Sequence, residues 1–414
     1  DDYTGFYGQI HAQGGSLGGN GGQVETSSHD NLQAMGSVNV AAPLGTSGNW
    51  LLDPANVTIQ TGGTGALSGN IFNPASDSTI DPTTISSALT NGSTVTITAS
   101  CAPCASNPSK GNLTIANSIN RVATGTATLN LNADASITMN AGVGITSTAG
   151  NPLNVTMSAA SVLGLTGGIT TNGGAVTLGA GNGITATAAP INTSGGDVTV
   201  INTPPLNNAS AASIVFNTAS AINAGTGNVT VRNGPLAVQA GLGAITLGTL
   251  TGKNITIHNN LSDSSATNTN NVTLNGALTA SGPIDISSDS GDISVAANQV
   301  TTLTSAIAHP INMTAGRNIT LNTGANILSA GGGAATVSLI AGKKYSSALQ
   351  VNGAITTSGG NLNLFNLQTG NLTSSGNLTL GGGSLNLYSP GSNSLSGIIA
   401  GTNSNLNLLS RTDA

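Results

Sequence analysis

The sequence repeats one four-residue pattern, as in Asn154-Val-Thr-Met157, Ala175-Val-Thr-Leu178, Asp197-Val-Thr-Val200 and Asn228-Val-Thr-Val231. In each copy a branched apolar residue, a threonine and a second apolar residue follow one another. This alternation places both apolar side chains on one face of a β-strand and the threonine on the other. The pattern therefore predicts short strands that are each buried on one side.

Copies of the pattern occur along almost the whole chain, and most neighbouring copies lie about 16 to 22 residues apart. Gly-rich turns separate them, and a second, weaker strand such as Gly168-Ile-Thr-Thr171 falls in many intervals. We expect two or three short strands per interval and no segment that is long or periodic enough for a helix. Further copies are Asn56-Val-Thr-Ile59, Asn112-Leu-Thr-Ile115, Asn254-Ile-Thr-Ile257, Asn271-Val-Thr-Leu274, Asn318-Ile-Thr-Leu321 and Asn377-Leu-Thr-Leu380.

A unit of this kind cannot bury its apolar face alone, whereas stacked coils bury it in a continuous column. The sequence therefore predicts an all-β fold, a right-handed parallel β-helix (β-solenoid) that forms an elongated rod of some twenty coils. Asparagine before many strands predicts ladders of side-chain amides at the corners, hydrogen-bonded from coil to coil. An antiparallel sandwich would also give short strands and turns, but it does not require one motif at a steady interval.

Composition excludes several other classes of protein. Of 414 residues, 58 are glycine, 5 % are charged and 2 % are aromatic, whereas ordinary domains carry about 25 % charged residues. No apolar run is long enough for a transmembrane helix, and glycine does not recur at every third position as in collagen. Because Lys and Arg number only 8, we expect no nucleic-acid partner, and no residue pattern calls for a cofactor.

The N-terminal stretch carries the most specific signal. It reads Gly8-Gln-Ile-His-Ala-Gln-Gly-Gly15, Gly18-Gly-Asn-Gly-Gly-Gln-Val-Glu-Thr-Ser27 and Gly48-Asn-Trp-Leu-Leu-Asp-Pro-Ala-Asn-Val-Thr-Ile59. This stretch resembles the filamentous-haemagglutinin-like exoproteins of bacterial two-partner secretion, although Gln23 stands where many relatives carry Phe. Trp50 is the only tryptophan, and Asp53-Pro54 is expected to turn the chain before the strand at Val57.

The resemblance implies a long β-helix that leaves the cell through the outer-membrane transporter of two-partner secretion. It implies a secreted, cell-surface location and partners on a host cell, a neighbouring cell or the matrix. We therefore expect a non-catalytic structural and adhesive shaft that mediates attachment, aggregation or biofilm formation. The alternative is a filament subunit that self-associates into fibres, or a stalk that presents a C-terminal toxin. We do not expect a polysaccharide lyase, because such an enzyme would need clustered carboxylates or basic residues along a groove.

The domain expectation follows from the same repeat. Residues 1–60 are taken as Gly-rich opening coils with the family-like element, and residues 61–414 as the continuation of the same β-solenoid in one continuous domain. We read the chain as an internal or processed piece of a longer product.

The pair Cys101-Ala-Pro-Cys104 is the most conspicuous short motif. Its surroundings, rich in Ser, Pro and Asn, do not predict the helix start that a redox-active thiol would use, and one such pair is too few for a structural zinc site. The sequence favours a disulfide between Cys101 and Cys104 that closes a small loop at residues 98–110.

Other candidate groups carry weaker signals. Asp285, Asp289 and Asp292 form the densest acidic group, with Asp263 upstream, but they lack a calcium-loop motif and are read as a solvated turn. His258 and His309 are isolated in the sequence, so no catalytic or metal site is predicted. Asn-x-Ser/Thr sequons arise within the strand pattern itself, and glycosylation is a hypothesis only for exposed copies. Those sequons include Asn56, Asn112, Asn154, Asn228, Asn271 and Asn318.

Overall fold

The structure is a computed structural model, and it confirms the predicted all-β parallel β-helix. It describes residues 3–62, 78–100, 110–122, 125–205, 212–235, 240–262, 270–297, 309–329 and 334–409, together with the backbone of four further short stretches at 67–68, 71–72, 239 and 300–303. The chain divides into two compact units, residues 1–199 and 200–414. In each unit the strands of successive right-handed coils pair in parallel and form three sheets.

In the first unit, the first sheet has this spatial order: Tyr3–Phe6, Asn31–Ala34, Ser78–Ile80, Val57–Ile59, Leu113–Ile115, Ile137–Met139, Leu163–Leu165 and Ile184–Ala186. The second sheet contains Gln23–Ser27, Asn49–Asp53, Thr94–Ala99, Ala127–Ala133, Leu153–Ala159 and Val176–Ala180. The third contains Ile119–Arg121, Gly144–Ser147, Gly168–Thr170 and Ile191–Asn192. Two small pairs are Gln9–His11 with Ser37–Asn39, and the antiparallel Leu67–Ser68 with Ile71–Phe72.

In the second unit, the first sheet contains Ile214–Phe216, Ile245–Leu247, Val272–Leu274, Ile293–Val295, Ile319–Leu321, Leu349–Val351, Leu372–Ser374 and Asn393–Leu395. The second contains Val198–Asn202, which begins at the unit boundary, then Val229–Asn233, Ile255–Asn259, Ile284–Ser288, Ile311–Ala315, Val337–Ala341, Leu362–Asn366, Leu385–Tyr388 and Leu406–Leu409. The third contains Ile222–Asn223, Leu250–Gly252, Leu278–Ala280, Val300–Leu303, Asn326–Ser329, Ala354–Thr357, Leu378–Leu380 and Ile399–Gly401. Gln239–Ala240 pairs with Leu261–Ser262.

The inward side chains form columns that run from coil to coil. Ile137, Leu163 and Ile184 are register partners in the first sheet of the first unit, and all three are fully buried. Burying one such side chain stabilises the fold by about 1.5 to 3 kcal/mol. The predicted apolar column is therefore confirmed, and each coil supplies its next layer.

The predicted number of coils is too high, because the repeat pattern occurs in two sheets of the same coil. Asn254-Ile-Thr-Ile257 falls in the second sheet, and Asn271-Val-Thr-Leu274 falls in the first sheet of that coil. Hydrogen bonds between equivalent corner positions of successive coils span 21 residues at Asn154 and 30 residues at Asn318. The described residues accordingly form eight first-sheet strands in each unit, or sixteen in the two units together. This is fewer than the roughly twenty coils that the sequence predicts.

The expectation of no helix is also wrong, because Pro82–Thr90 is an α-helix. Asp81 is its N-cap, and its Oδ1 accepts the N–H of Thr83 at 2.8 Å. Proline is favoured at the first helical position, and the buried residues Ile85, Ala88 and Leu89 lie on one face at helical spacing. These signals were readable at Asp81-Pro82, but nine residues give too little periodicity to stand out from the strand repeat.

The helix lies beside Ser37–Asn39 and Ile119–Arg121, where the other coils have a third-sheet strand. Its hydroxyl side chains bond to the strand edge that it covers: the N–H of Asn120 donates to Ser86 Oγ at 3.1 Å. The preceding strand Ser78–Ile80 inserts between Asn31–Ala34 and Val57–Ile59. The winding is therefore irregular in this one region, and no short-range pattern in the sequence encodes it.

A buried arginine joins the helix to the following coils. Arg121 is 1 % exposed, and its guanidinium donates to the carbonyl oxygens of Leu89 at 2.9 Å, Gly125 at 2.7 Å and Pro152 at 3.3 Å. Burial lowers the pKa of Arg121. Since Leu89 lies in the last turn of the helix, the cation also meets the negative end of the helix dipole.

Replacing Arg121 by methionine removes three hydrogen bonds from a buried guanidinium to backbone carbonyls, although the carbonyls of Leu89 and Pro152 each keep a backbone N–H donor. We expect Arg121→Met to lower the free energy of unfolding of the first unit by about 3 kcal/mol. Urea unfolding followed by the fluorescence of Trp50, which lies in the same unit, measures the change. Lys110→Met is the control, because the Lys110–Asp30 pair at 2.6 Å is partly solvent-exposed and such pairs contribute about 1 kcal/mol or less. Equal losses in both variants would contradict this role of Arg121.

The N-cap gives the helix a pH dependence. Burial alone would raise the pKa of Asp81, but hydrogen bonds from Thr83 and from the N–H of Gly62 hold it below its usual value. The ionised cap therefore contributes stability above the unfolded-state pKa, and this contribution is lost as the pH falls through the lower folded-state pKa, below about pH 4. We expect Asp81→Ala to cost about 1 kcal/mol at pH 7, measured by urea unfolding. Asp81→Asn should keep the cap and lose that part of the acid dependence; an unchanged acid dependence would refute the assignment.

Candidate functional surface

The outward side chains of the sheets form rows of hydroxyl groups. In the first sheet of the second unit, Thr246 is the register partner of Thr273, and Ser294 is the partner of Thr320. Successive parallel strands lie about 4.8 Å apart, so from Thr246 to Thr373 a polar side chain recurs at each coil, and it is a hydroxyl group everywhere except at Gln350. These rows make a repetitive, uncharged surface.

Asparagine side chains at the corners form the predicted ladder. The Oδ1 atom of Asn56 accepts the N–H of Asn112 at 2.9 Å, one coil further on. Asn271 accepts from Asp292 at 2.9 Å, and Asn318 accepts from Ala348 at 2.7 Å. The sequon asparagines are thus held in coil-to-coil hydrogen bonds, which gives the Asn-Val-Thr pattern a structural reason. Asn112 and Asn154 accept in the same way from the N–H groups of Ser136 and Ala175, whereas Asn228 accepts from the side-chain amide of Asn254.

A second asparagine ladder, which we did not predict, lies inside the second unit. Asn202, Asn233 and Asn259 end second-sheet strands and are fully buried. The amide of Asn202 donates to Asn233 Oδ1 at 2.8 Å, and Asn233 donates to the carbonyl oxygens of Ala212 at 2.9 Å and Gly243 at 3.1 Å. The signal in the sequence is an asparagine two residues after the second apolar residue of the pattern, at equivalent positions in successive coils.

The family-like element lies at a buried corner of the first unit. Trp50 is fully buried; its indole N–H donates to Thr26 Oγ1 at 2.9 Å, and its ring meets Phe6 edge-on at 6.1 Å. The strand Asn49–Asp53 ends at Asp53, and Pro54 is buried beyond it, before the next strand. One carboxylate oxygen of Asp53 is buried without a hydrogen-bond partner. These contacts give the element an architectural role.

Two predicted groups cannot be placed. Cys101 and Cys104 lie outside the described residues, so the predicted disulfide stays a prediction. Asp263, upstream of the acidic group, also lies outside them.

The acidic group does not converge on one point. Asp285 pairs with His258 at 3.0 Å, Asp289 pairs with Lys344 at 3.1 Å, and Asp292 accepts the N–H of Asn318 at 3.0 Å. Each carboxylate thus has a partner of its own. In the ranges that the structure describes, no group of three or more His, Cys, Asp or Glu residues is arranged to hold a metal ion.

His258 is isolated in the sequence, but the neighbouring coil places Asp285 beside it. Ser287, the register partner of His258, lies on the same outward face. Among the described contacts, however, no hydrogen bond joins the Ser287 hydroxyl to the imidazole. The group therefore lacks the serine–histidine contact that an activated nucleophile needs.

The recesses of the surface are lined by polar side chains. One of about 420 Å³ lies in the second unit among amides and hydroxyls that include Asn318, Gln350, Asn371 and Thr373. Another of about 470 Å³ lies beside the helix and includes Thr83, Ser86 and Asn120. Neither of these two recesses is lined by an acidic or basic side chain. Such linings suit weak polar contacts more than acid–base chemistry.

No family model matches the sequence, and no curated protein matches it. In the described part of the chain, the one helix is too short and too polar to cross a membrane. The resemblance of the N-terminal stretch therefore stays a prediction that rests on the residues quoted for it.

The inner asparagine ladder should be a main support of the second unit. We expect Asn233→Leu to lower the free energy of unfolding by about 3 kcal/mol, because it removes three buried hydrogen bonds, one from Asn202 and two to the carbonyl oxygens of Ala212 and Gly243. Urea unfolding followed by far-ultraviolet circular dichroism measures the loss. Asn312→Ala is the matched control on the outward face, where a change within about 0.5 kcal/mol is expected. Similar losses in both variants would show that the ladder does not contribute in this way.

Proposed function

We propose that this chain is a non-catalytic structural and adhesive shaft of a large secreted bacterial surface protein. It would leave the cell through the outer-membrane transporter of two-partner secretion and mediate attachment to host cells, neighbouring cells or matrix. The observation that carries the adhesive part is the set of uncharged hydroxyl and amide rows that repeat at each coil. A repetitive surface offers many equivalent weak contacts, and such contacts gain strength by multivalency.

The arrangement of ionisable groups supports the non-catalytic part of the proposal. Acid–base catalysis requires groups placed within hydrogen-bond reach of one another and of a substrate in a pocket. Asp285, Asp289 and Asp292 each bind a separate partner. In the His258–Asp285 pair, the histidine side chain is 32% exposed and the aspartate side chain is 48% exposed. The secretory part rests on the N-terminal resemblance alone.

Beads coated with the purified chain test the adhesive role. We expect them to attach to epithelial cell layers or to bacterial cell layers in larger numbers than beads that carry the same chain denatured before coupling. The count of attached beads per cell is the measurement. Attachment no greater than that of the denatured control, on every cell layer tested, would contradict the proposal, as would release of reducing sugars when the chain is incubated with polysaccharides.

A further inference from the structure

The last coils of the second unit carry two outward columns that the earlier coils lack. In the second sheet, Ile340, Phe365 and Tyr388 are successive register partners, and we call them the aromatic column. Beside them, Ser338, Asn363, Asn386 and Asn407 are also successive register partners, and we call them the amide column. Both columns lie on the outer face, because the residues between them are buried leucines.

The amide column is ordered by its own hydrogen bonds. Asn363 Nδ2 donates to Ser338 Oγ at 3.0 Å, Asn386 Nδ2 donates to Asn363 Oδ1 at 2.7 Å, and Asn407 Nδ2 donates to Asn386 Oδ1 at 2.7 Å. A carboxamide has two N–H donors and two acceptor lone pairs. The ladder uses one donor and one acceptor of Asn363 and of Asn386, and one donor of Asn407, so every amide keeps a further donor and acceptor at a fixed position on the face.

The aromatic side chains on this face are not explained by core packing. Aromatic residues make up 2 % of the chain, and Phe216 in the same unit is fully buried. Phe365 and Tyr388, by contrast, are half-buried on the outer face, one coil apart. The positions that Ile340, Phe365 and Tyr388 occupy carry Arg232, His258, Ser287 and Thr314 in earlier coils.

Charge indicates what kind of partner the face would accept. From Tyr345 to Ser410 the sequence contains no Asp, Glu, Lys, Arg or His. The columns therefore offer nothing to attract an ionic ligand such as a sulfated glycan or a nucleic acid. A partner has to be neutral, with apolar faces for the rings and hydroxyl groups for the amides.

We propose that the aromatic and amide columns bind a neutral polysaccharide. The C–H faces of the sugar rings would pack on Phe365 and Tyr388, and the sugar hydroxyls would bond to the outer donors and acceptors of Asn363 and Asn386. The columns repeat about every 4.8 Å, a spacing similar to the length of one sugar unit in an extended chain. This inference rests on the proposed adhesive function and names its ligand class.

Native gel electrophoresis tests the proposal, with dextran, mannan, xylan or mixed-linkage β-glucan cast into the gel. We expect at least one of these polysaccharides to retard the full chain. Phe365→Ala and Tyr388→Ala should each bind that polysaccharide about tenfold more weakly, since an aromatic contact contributes about 1.4 kcal/mol. Asn386→Ala should also weaken binding. Thr314→Ala and Asn312→Ala, at the equivalent outward positions of an earlier coil, are the matched controls and should bind like the unaltered chain. Unchanged unfolding in urea would establish that the ring variants are folded.

No retardation by any of the four polysaccharides, or equal retardation of all variants, would overturn the inference. A second copy is the competing occupant, because uncharged faces with amide ladders also pack on one another. Sedimentation that shows self-association lost in Phe365→Ala, without polysaccharide binding, would likewise overturn it. If coated beads attach to cells but the gels show no retardation, the adhesive function is supported and this binding site is refuted. Retardation without bead attachment would support the site and refute the adhesive function.

Discussion

Everything in this structure depends on the register between successive coils. A single coil leaves its Val, Ile and Leu side chains against water, and only the next coil covers them. Parallel pairing aligns each strand with the equivalent strand of the next coil. Between Val229–Asn233 and Ile255–Asn259, for example, each valine is the register partner of an isoleucine, and Asn233 is the partner of Asn259. A slip of one residue would turn the apolar face outward. The asparagine ladders oppose such a slip, because each amide bonds to a defined backbone or side-chain group one coil away.

The same register produces the surface. When equivalent positions are stacked, any side chain type that recurs becomes a continuous row, whether of threonine, of amides or of aromatic rings. A face built this way can change character along the coils without any change in the backbone. In the second sheet it passes from Arg232 and His258 to Thr314 and then to Phe365 and Tyr388. Recognition can therefore be encoded in outward positions while the inward positions keep the fold.

The sequence predicts the fold class well, because alternation within a strand and recurrence between strands are both local patterns. It overestimates the number of coils, because Asn254-Ile-Thr-Ile257 and Asn271-Val-Thr-Leu274 look alike although they lie in different sheets of one coil. The helix Pro82–Thr90 and the buried Arg121 depend on an irregular coil in which distant segments meet. The His258–Asp285 pair and the two outer columns likewise appear only once the register is known, since their members lie a whole coil apart in the chain.

Cross-linking of introduced cysteines tests the coil stacking most directly. Thr246 and Thr273 are register partners in neighbouring coils, whereas Thr256 and Thr273 lie in different sheets of one coil. In a background that lacks Cys101 and Cys104, mild oxidation should form a disulfide in Thr246→Cys/Thr273→Cys, because parallel neighbours lie within disulfide reach. It should form none in Thr256→Cys/Thr273→Cys, and mass spectrometry of the digested protein distinguishes the two. A disulfide in the second pair and none in the first would contradict the stacking described here.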